Sequence, residues 1–104
     1  DQLAPTFQLQ KIPATYASAW AQYSLITKGK NHRDDMMIKL KSHGIPTMIY
    51  YPIPLHLQTT FNHLNNGVGD YPVSEDTANC IFSIPMHPYL DDETINQIVS
   101  GLLD

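Results

Sequence analysis

Two short apolar runs, residues 45–51 and 80–84, each break off at a pair of prolines. In "GIPTMIYYPIPLHLQ" the pair is Pro52 and Pro54; in "CIFSIPMHPYL" it is Pro85 and Pro88. Proline has no N–H to give a sheet ladder and holds its φ near −65°, so neither run can continue past its proline as a strand. The chain is thus limited to short strands that end in stiff corners. A histidine stands at each corner, His56 and His87, and tyrosines flank both. Strand-end loops are where a rigid scaffold presents functional groups, and proline removes conformational freedom that a ligand would otherwise have to freeze.

The rest of the chain is organised around these corners. In "SAWAQYSLI", residues 18–26, Ala19, Ala21, Tyr23 and Leu25 alternate with Ser18, Trp20, Gln22 and Ser24. That period of two marks a half-buried strand and leaves Trp20 on the more polar side, in need of cover from elsewhere. A helix is expected from Asn31, as its cap, to His43, with Met36, Met37 and Leu40 as its apolar stripe and Gly44 as its left-handed stop. Residues 45–51 are apolar on both sides and read as a second, buried strand. "HLQTTFNHLNNGVGDY" reads as loop with one helical turn. Pro72 opens a helix through Asn79, residues 80–84 make a third strand, and Asp91 caps a last helix with Leu90 and Ile95 placed as a hydrophobic staple. Ile95, Ile98, Val99, Leu102 and Leu103 fall on one face of that helix. Asp34, Asp35, Glu75, Asp76, Asp91, Asp92 and Glu93 all fall in expected first turns, where the helix dipole favours negative charge, so they read as helix-start residues rather than as a catalytic dyad.

These elements predict an α+β layer: a three-stranded, mainly antiparallel sheet, the third strand between the first two, with helices on one face. The other face is left for a partner. Residues 1–13 show no clean period and read as linker. At 104 residues, the chain can hold one domain, burying roughly 60–65% of the surface exposed when unfolded. A net charge of −4 with six Lys and Arg gives no basic face for nucleic acid. No run approaches the ~20 apolar residues of a membrane span and none resembles a secretory leader, so a cytoplasmic, membrane-free protein is expected. The single cysteine, Cys80, rules out an internal disulfide and is expected to be a buried, inert thiol, in keeping with a reducing compartment.

Five histidines raise the question of a metal, but none forms an HxxxH or HExxH pair and no CxxC accompanies them. His32 and His43 bracket a helix and His63 lies in a loop. No GxSxG is present, and the glycines form no phosphate-cradling loop. By residues alone this is a small domain whose two corners are either merely stiff or hold groups against a ligand.

Four blocks in order, "SAWAQYSL", "GIPTMIYYPIPLHLQ", "DYPVSEDTAN" and "FSIPMHPYL", closely resemble the C-terminal part of the DegT/DnrJ/EryC1/StrS aminotransferases. These are pyridoxal-phosphate-dependent enzymes that act on sugars. The wording is most similar to the branch that aminates UDP-linked keto sugars for surface polysaccharides. The resemblance implies the small C-terminal domain of an aspartate-aminotransferase (type I) fold, with residues 1–16 as a linker from a larger domain and 17–104 as the small domain. It also implies a homodimer, a nucleotide-sugar substrate, an amino-acid donor (usually glutamate), and pyridoxal 5'-phosphate held mainly by the larger domain. Lys11, Lys28, Lys30, Lys39 and Lys41 all lie outside the family's Schiff-base motif, so this stretch supplies no catalytic residue and by itself does not transaminate. By motif position Tyr51 and His56, then Tyr50, are the substrate-contact residues. His87 matches a wall position, and Gln58 is a weaker candidate. Two other readings stay open: a stand-alone binding module of the same fold, and a full-length relative that lacks the lysine.

Overall fold

The structure, a computed structural model, describes residues 2–104. Its centre is an antiparallel pair, β2 (Tyr23–Ile26) and β3 (Ile81–Ile84), in which Leu25 faces Phe82 and Ser24 faces Ser83. Residues directly opposite share a side of the sheet, so Leu25 and Phe82 point one way and the two serines the other. Leu25 and Phe82 are completely buried. The serine hydroxyls hydrogen-bond to each other at 2.9 Å.

On the far side of β3, Met48 and Ser83 exchange both backbone bonds, at 3.1 and 2.7 Å. β3 therefore lies between the earlier two segments, as expected. The 45–51 run, however, forms only this one bridge and not a strand. Pro46 has no N–H to offer and the chain bends at Tyr50, so Met48 alone reaches ladder geometry.

The third strand comes instead from the opening segment. β1 (Gln8–Leu9) pairs with the free edge of β2, giving the order β1-β2-β3. Just before it, a turn closed by bonds from Thr6 and Phe7 N–H to the Leu3 carbonyl puts Leu3 and Phe7 into the core. Phe7 meets Phe82 edge-on at 6.2 Å. A two-residue strand is too short to show a period, which is why these residues look like linker in the sequence. The β2 strand, for its part, starts at Tyr23 and not at Ser18. Trp20 has a left-handed φ of 49°, which breaks the alternation, and its ring stacks on Tyr23 at 5.0 Å.

Of the three helices, the first and last cover the Leu25–Phe82 face and the second packs against the first. In α1 (Lys30–Ser42) the buried side chains are Arg33, Met36 and Leu40. The helix begins one residue ahead of Asn31, with Gly29 as an N-cap that makes no side-chain bond, so Asp34 and Asp35 lie past its first turn. Asp34 instead pairs with the buried Arg33, which also donates to the Ala78 carbonyl at 2.9 Å. The helix stops as expected. Gly44, at φ +73°, donates to Lys41 and Ile45 donates back to Leu40, the paired bonds of a Schellman motif. The second helix, α2 (Pro72–Cys80), opens on its proline and carries half-buried Cys80 at its last turn; the thiol is in the helix, not in the following strand. The last, α3 (Asp92–Leu103), is capped by Asp91, which accepts from Thr94 N–H at 2.8 Å, and buries Ile98 and Leu102. Gly101 sits where α3 meets the α1 end: a Cβ there would lie 3.0 Å from Ile45 Cδ1 and 3.2 Å from Leu40 Cδ2. The expected α+β layer with helices on one face is thus present, with one strand drawn from a different part of the chain.

If the opening segment belongs to the core, Phe7→Ala should destabilise the chain by about 3–5 kcal/mol in urea unfolding followed by circular dichroism. A true linker position would change stability by less than ~0.5 kcal/mol.

Candidate functional site

Beyond Met48 the chain leaves the sheet through Tyr50 and Tyr51, joined by a cis peptide, and turns at Pro52 and Pro54. The two rings meet edge to face at 5.7 Å. After Pro54, whose backbone is extended, the chain coils into two 3-10 helices, Leu55–Leu57 and Thr59–Leu64, where one helical turn was expected. Gln58 closes the corner by donating from Nε2 to the Ile53 carbonyl at 3.2 Å.

Between this corner and α2 runs an open groove of about 540 Å³. Tyr50, Tyr51 and Gln58 line one wall, and Tyr71, Val73 and Thr77 the other. Phenol hydroxyls beside ring faces suit a ligand that has both hydroxyls and an apolar side, as a sugar does. Tyr51 is 68% exposed.

His56 does not face this groove. Its side chain is only 9% exposed, Nε2 lies 3.0 Å from Glu75 Oε1, and the ring tilts against Tyr71 at 4.8 Å between centroids. The Glu75 carboxylate also accepts from Gly69 N–H at 2.9 Å to both oxygens and from Tyr71 N–H at 3.2 Å. The Gly69 N–H holds the Glu75 carboxyl below the usual carboxylate range, against partial desolvation, with Tyr71 N–H and His56 adding to the effect. Gly69 has a φ of +96°, a conformation that favours glycine. His87 is exposed at the other corner, where its Nδ1 accepts from Tyr89 N–H at 3.2 Å. Its neighbours Pro85 and Met86 line a separate cavity of about 190 Å³, to which Tyr50 also belongs.

The structure thus brings Tyr50, Tyr51 and Gln58 together on one wall, puts His56 behind that wall and leaves His87 apart. Tyr71 and Glu75 are the residues that the sequence did not single out. The signal was there in "YPVSE": an acid four residues after the helix cap can reach back to the cap N–H, much as in a capping box.

Neither wall offers what pyridoxal phosphate needs. No lysine lines the groove to form a Schiff base and no cation lines it to hold a phosphate. The one arginine of the chain, Arg33, is buried and occupied by Asp34 and the Ala78 carbonyl. The residues present do not make a site for that cofactor.

The chain belongs to the DegT/DnrJ/EryC1/StrS aminotransferase family, whose pattern matches residues 2–103. Members of that family are pyridoxal-phosphate-dependent sugar aminotransferases. The chain is 37% identical over 93 residues to UDP-N-acetyl-3-dehydro-alpha-D-glucosamine 3-aminotransferase of Acidithiobacillus ferrooxidans, covering 89% of this chain and 24% of that protein. It is 36% identical over 91 residues to UDP-2-acetamido-2-deoxy-3-oxo-D-glucuronate aminotransferase of Pseudomonas aeruginosa, covering 88% of this chain and 24% of that protein. A crystal structure of a family aminotransferase from Brucella abortus superposes with a TM-score of 0.88 at 39% identity, over 98% of this chain and 26% of that one. The chain therefore spans about a quarter of the length of these relatives. Family and fold agree with the four sequence blocks. Among the described residues no helix is long and apolar enough to cross a membrane.

The lowering of the Glu75 carboxyl below its ordinary range has a consequence for stability. A carboxyl lowered in the folded chain lends stability that is fully present above its unfolded value and is lost as pH falls through its folded value. Urea midpoints should therefore drop on acidification just below the usual carboxylate range, and Glu75→Gln should flatten that part of the profile.

Proposed function

We propose that this chain is the C-terminal small domain of a pyridoxal-phosphate-dependent aminotransferase. The enzyme transfers an amino group from glutamate to the keto carbon of a nucleotide-linked sugar destined for surface polysaccharide. The observation that carries this reading is the stiff tyrosine corner, open on its groove side and without any cation, in a chain whose relatives include two aminotransferases named for UDP-linked 3-keto sugars. The corner supplies ring faces and hydroxyls for the sugar. The cofactor supplies the amine-transfer chemistry and is held by residues outside this chain, as is the Schiff-base lysine.

In this reading Tyr51 and Tyr50 touch the substrate. His56 acts from behind them, and His87 only shapes the far edge of the wall. Residues 1–16 lead from the large domain, with Leu3 and Phe7 anchoring the lead into the small domain's core. The whole enzyme is a cytoplasmic homodimer, and the exposed ring of Tyr51 is covered by chain outside this domain. The stretch by itself is inactive.

The test uses a polypeptide that joins this chain to its upstream lysine domain. With pyridoxal phosphate it should show a near-visible absorption band and aminate a UDP-linked keto sugar. Tyr51→Ala should keep the band and raise KM for the sugar about tenfold, the loss expected for one well-placed hydrogen bond with its ring contact. Unchanged activity and sugar affinity in a Tyr51→Ala/His56→Ala double variant overturns the reading. Absence of the band, with the upstream domain intact, means that the fold serves binding alone.

A further inference from the structure

An acid in the first turn of α2 is accounted for by the helix dipole, and the reach of Glu75 back to Tyr71 N–H by helix capping. Neither accounts for its other two partners. Gly69 N–H lies 2.9 Å from both carboxylate oxygens, and His56 Nε2, 19 positions away in sequence, lies 3.0 Å from Oε1. Three pieces of chain converge on one side chain: the turn before α2, the helix cap and the 3-10 helix that follows the prolines.

Past Ile49, which packs against the core, the corner itself is mostly exposed. Tyr51, Ile53 and Leu55 are 68%, 52% and 67% exposed. Among the described residues, the hydrogen bonds of residues 49–65 stay within that stretch with one exception, His56 to Glu75. The bond is sheltered from competing water, with the two side chains 9% and 14% exposed. Packing adds to it at the same place, where the His56 ring lies on Tyr71, the residue that caps α2 and lines the opposite wall of the groove.

We propose that Glu75 is the positioning residue of the substrate groove: through His56 it holds the tyrosine–proline corner at a set distance from α2, so that both walls are in place before a ligand arrives. The word substrate rests on the aminotransferase reading; the clasp itself does not. A preformed wall spares the ligand the entropy of ordering two tyrosines and a five-residue corner. Asp70 and Tyr71 are the other titratable groups on the facing turn: the Asp70 carboxylate accepts from Gly67 N–H at 2.7 Å, which shapes the turn that delivers Gly69, and Tyr71 gives its N–H to Glu75 and its ring to His56.

The experiment is backbone ¹⁵N relaxation on this chain as wild type, Glu75→Ala and His56→Phe. The phenylalanine keeps a ring against Tyr71 and removes only the bond to Glu75. In both variants the amides of Tyr50, Tyr51, Ile53 and Leu55 should fall from order parameters of about 0.85 toward 0.6 or below, with β2, β3, α1 and α3 unchanged. In His56→Phe the Gly69 and Tyr71 amide shifts should stay at their wild-type positions, separating the clasp on the corner from the cap on α2. Wild-type order at the corner in His56→Phe overturns the proposal, and that variant decides alone if Glu75→Ala does not fold. In the joined aminotransferase, His56→Phe should raise KM for the nucleotide sugar about tenfold and leave kcat within about twofold. Loss of kcat at unchanged KM overturns the positioning role. Because relaxation needs no turnover, failure of the aminotransferase reading and failure of the clasp give different results.

Discussion

Leu25 facing Phe82 across β2 and β3 is the contact around which the other elements are arranged. Both side chains are wholly out of water, and each is worth about 1.5–3 kcal/mol of transfer free energy. α1 brings Met36 and Leu40 to the pair, α3 brings Ile98 and Leu102, and the opening segment brings Leu3 and Phe7. Among the described residues these side chains form a single buried cluster. The same pair sets where the groove lies. The β3 register that buries Phe82 also turns the Ser83 backbone toward Met48, two residues from the tyrosine corner.

From that core the position of the corner is passed outward by charge as well as by packing. Arg33, buried in α1, donates to the Ala78 carbonyl and so ties α2 to the helix layer. At the other end of α2, Glu75 takes up His56. One cation and one anion thus sit at opposite ends of a nine-residue helix, each bonded across to a different element. Neither is left without a partner, and no buried side-chain nitrogen or oxygen among the described residues is unsatisfied. That condition decides whether buried charge costs stability or lends specificity.

Where the sequence was informative, a strong local rule met no competition. The Gly44 stop, the Pro72 start and the Asp91 cap each depend on residues within one or two turns of each other and appear as read, while the α3 stripe buries Ile98 and Leu102 at its centre and leaves Ile95 and Leu103 exposed at its ends. It failed where the deciding contact was distant or the element was too small for a period. Gln8–Leu9 form a strand only because β2 offers them an edge. Residues 45–51 have strand composition, but one ladder position is all that Pro46 and the bend at Tyr50 allow. Trp20 ends the β2 alternation through a backbone angle that no neighbouring residue announces. At the site, the tyrosines and prolines were legible because their chemistry is local. His56 was expected to face the ligand and was found bonded to an acid 19 residues on, a pairing that only the folded chain brings about.

The sheet face turned away from the helices carries Ser24 and Ser83, whose hydroxyls bond to each other. A lone hydroxyl on such a face would prefer water, and a surface settling over it would strand a donor. Two that bond to each other use one donor between them and keep the other for water or a covering group. With Ser83 buried and Ser24 half-buried, the shared bond spares the pair from being stranded together and leaves one donor to be met by whatever lies above them.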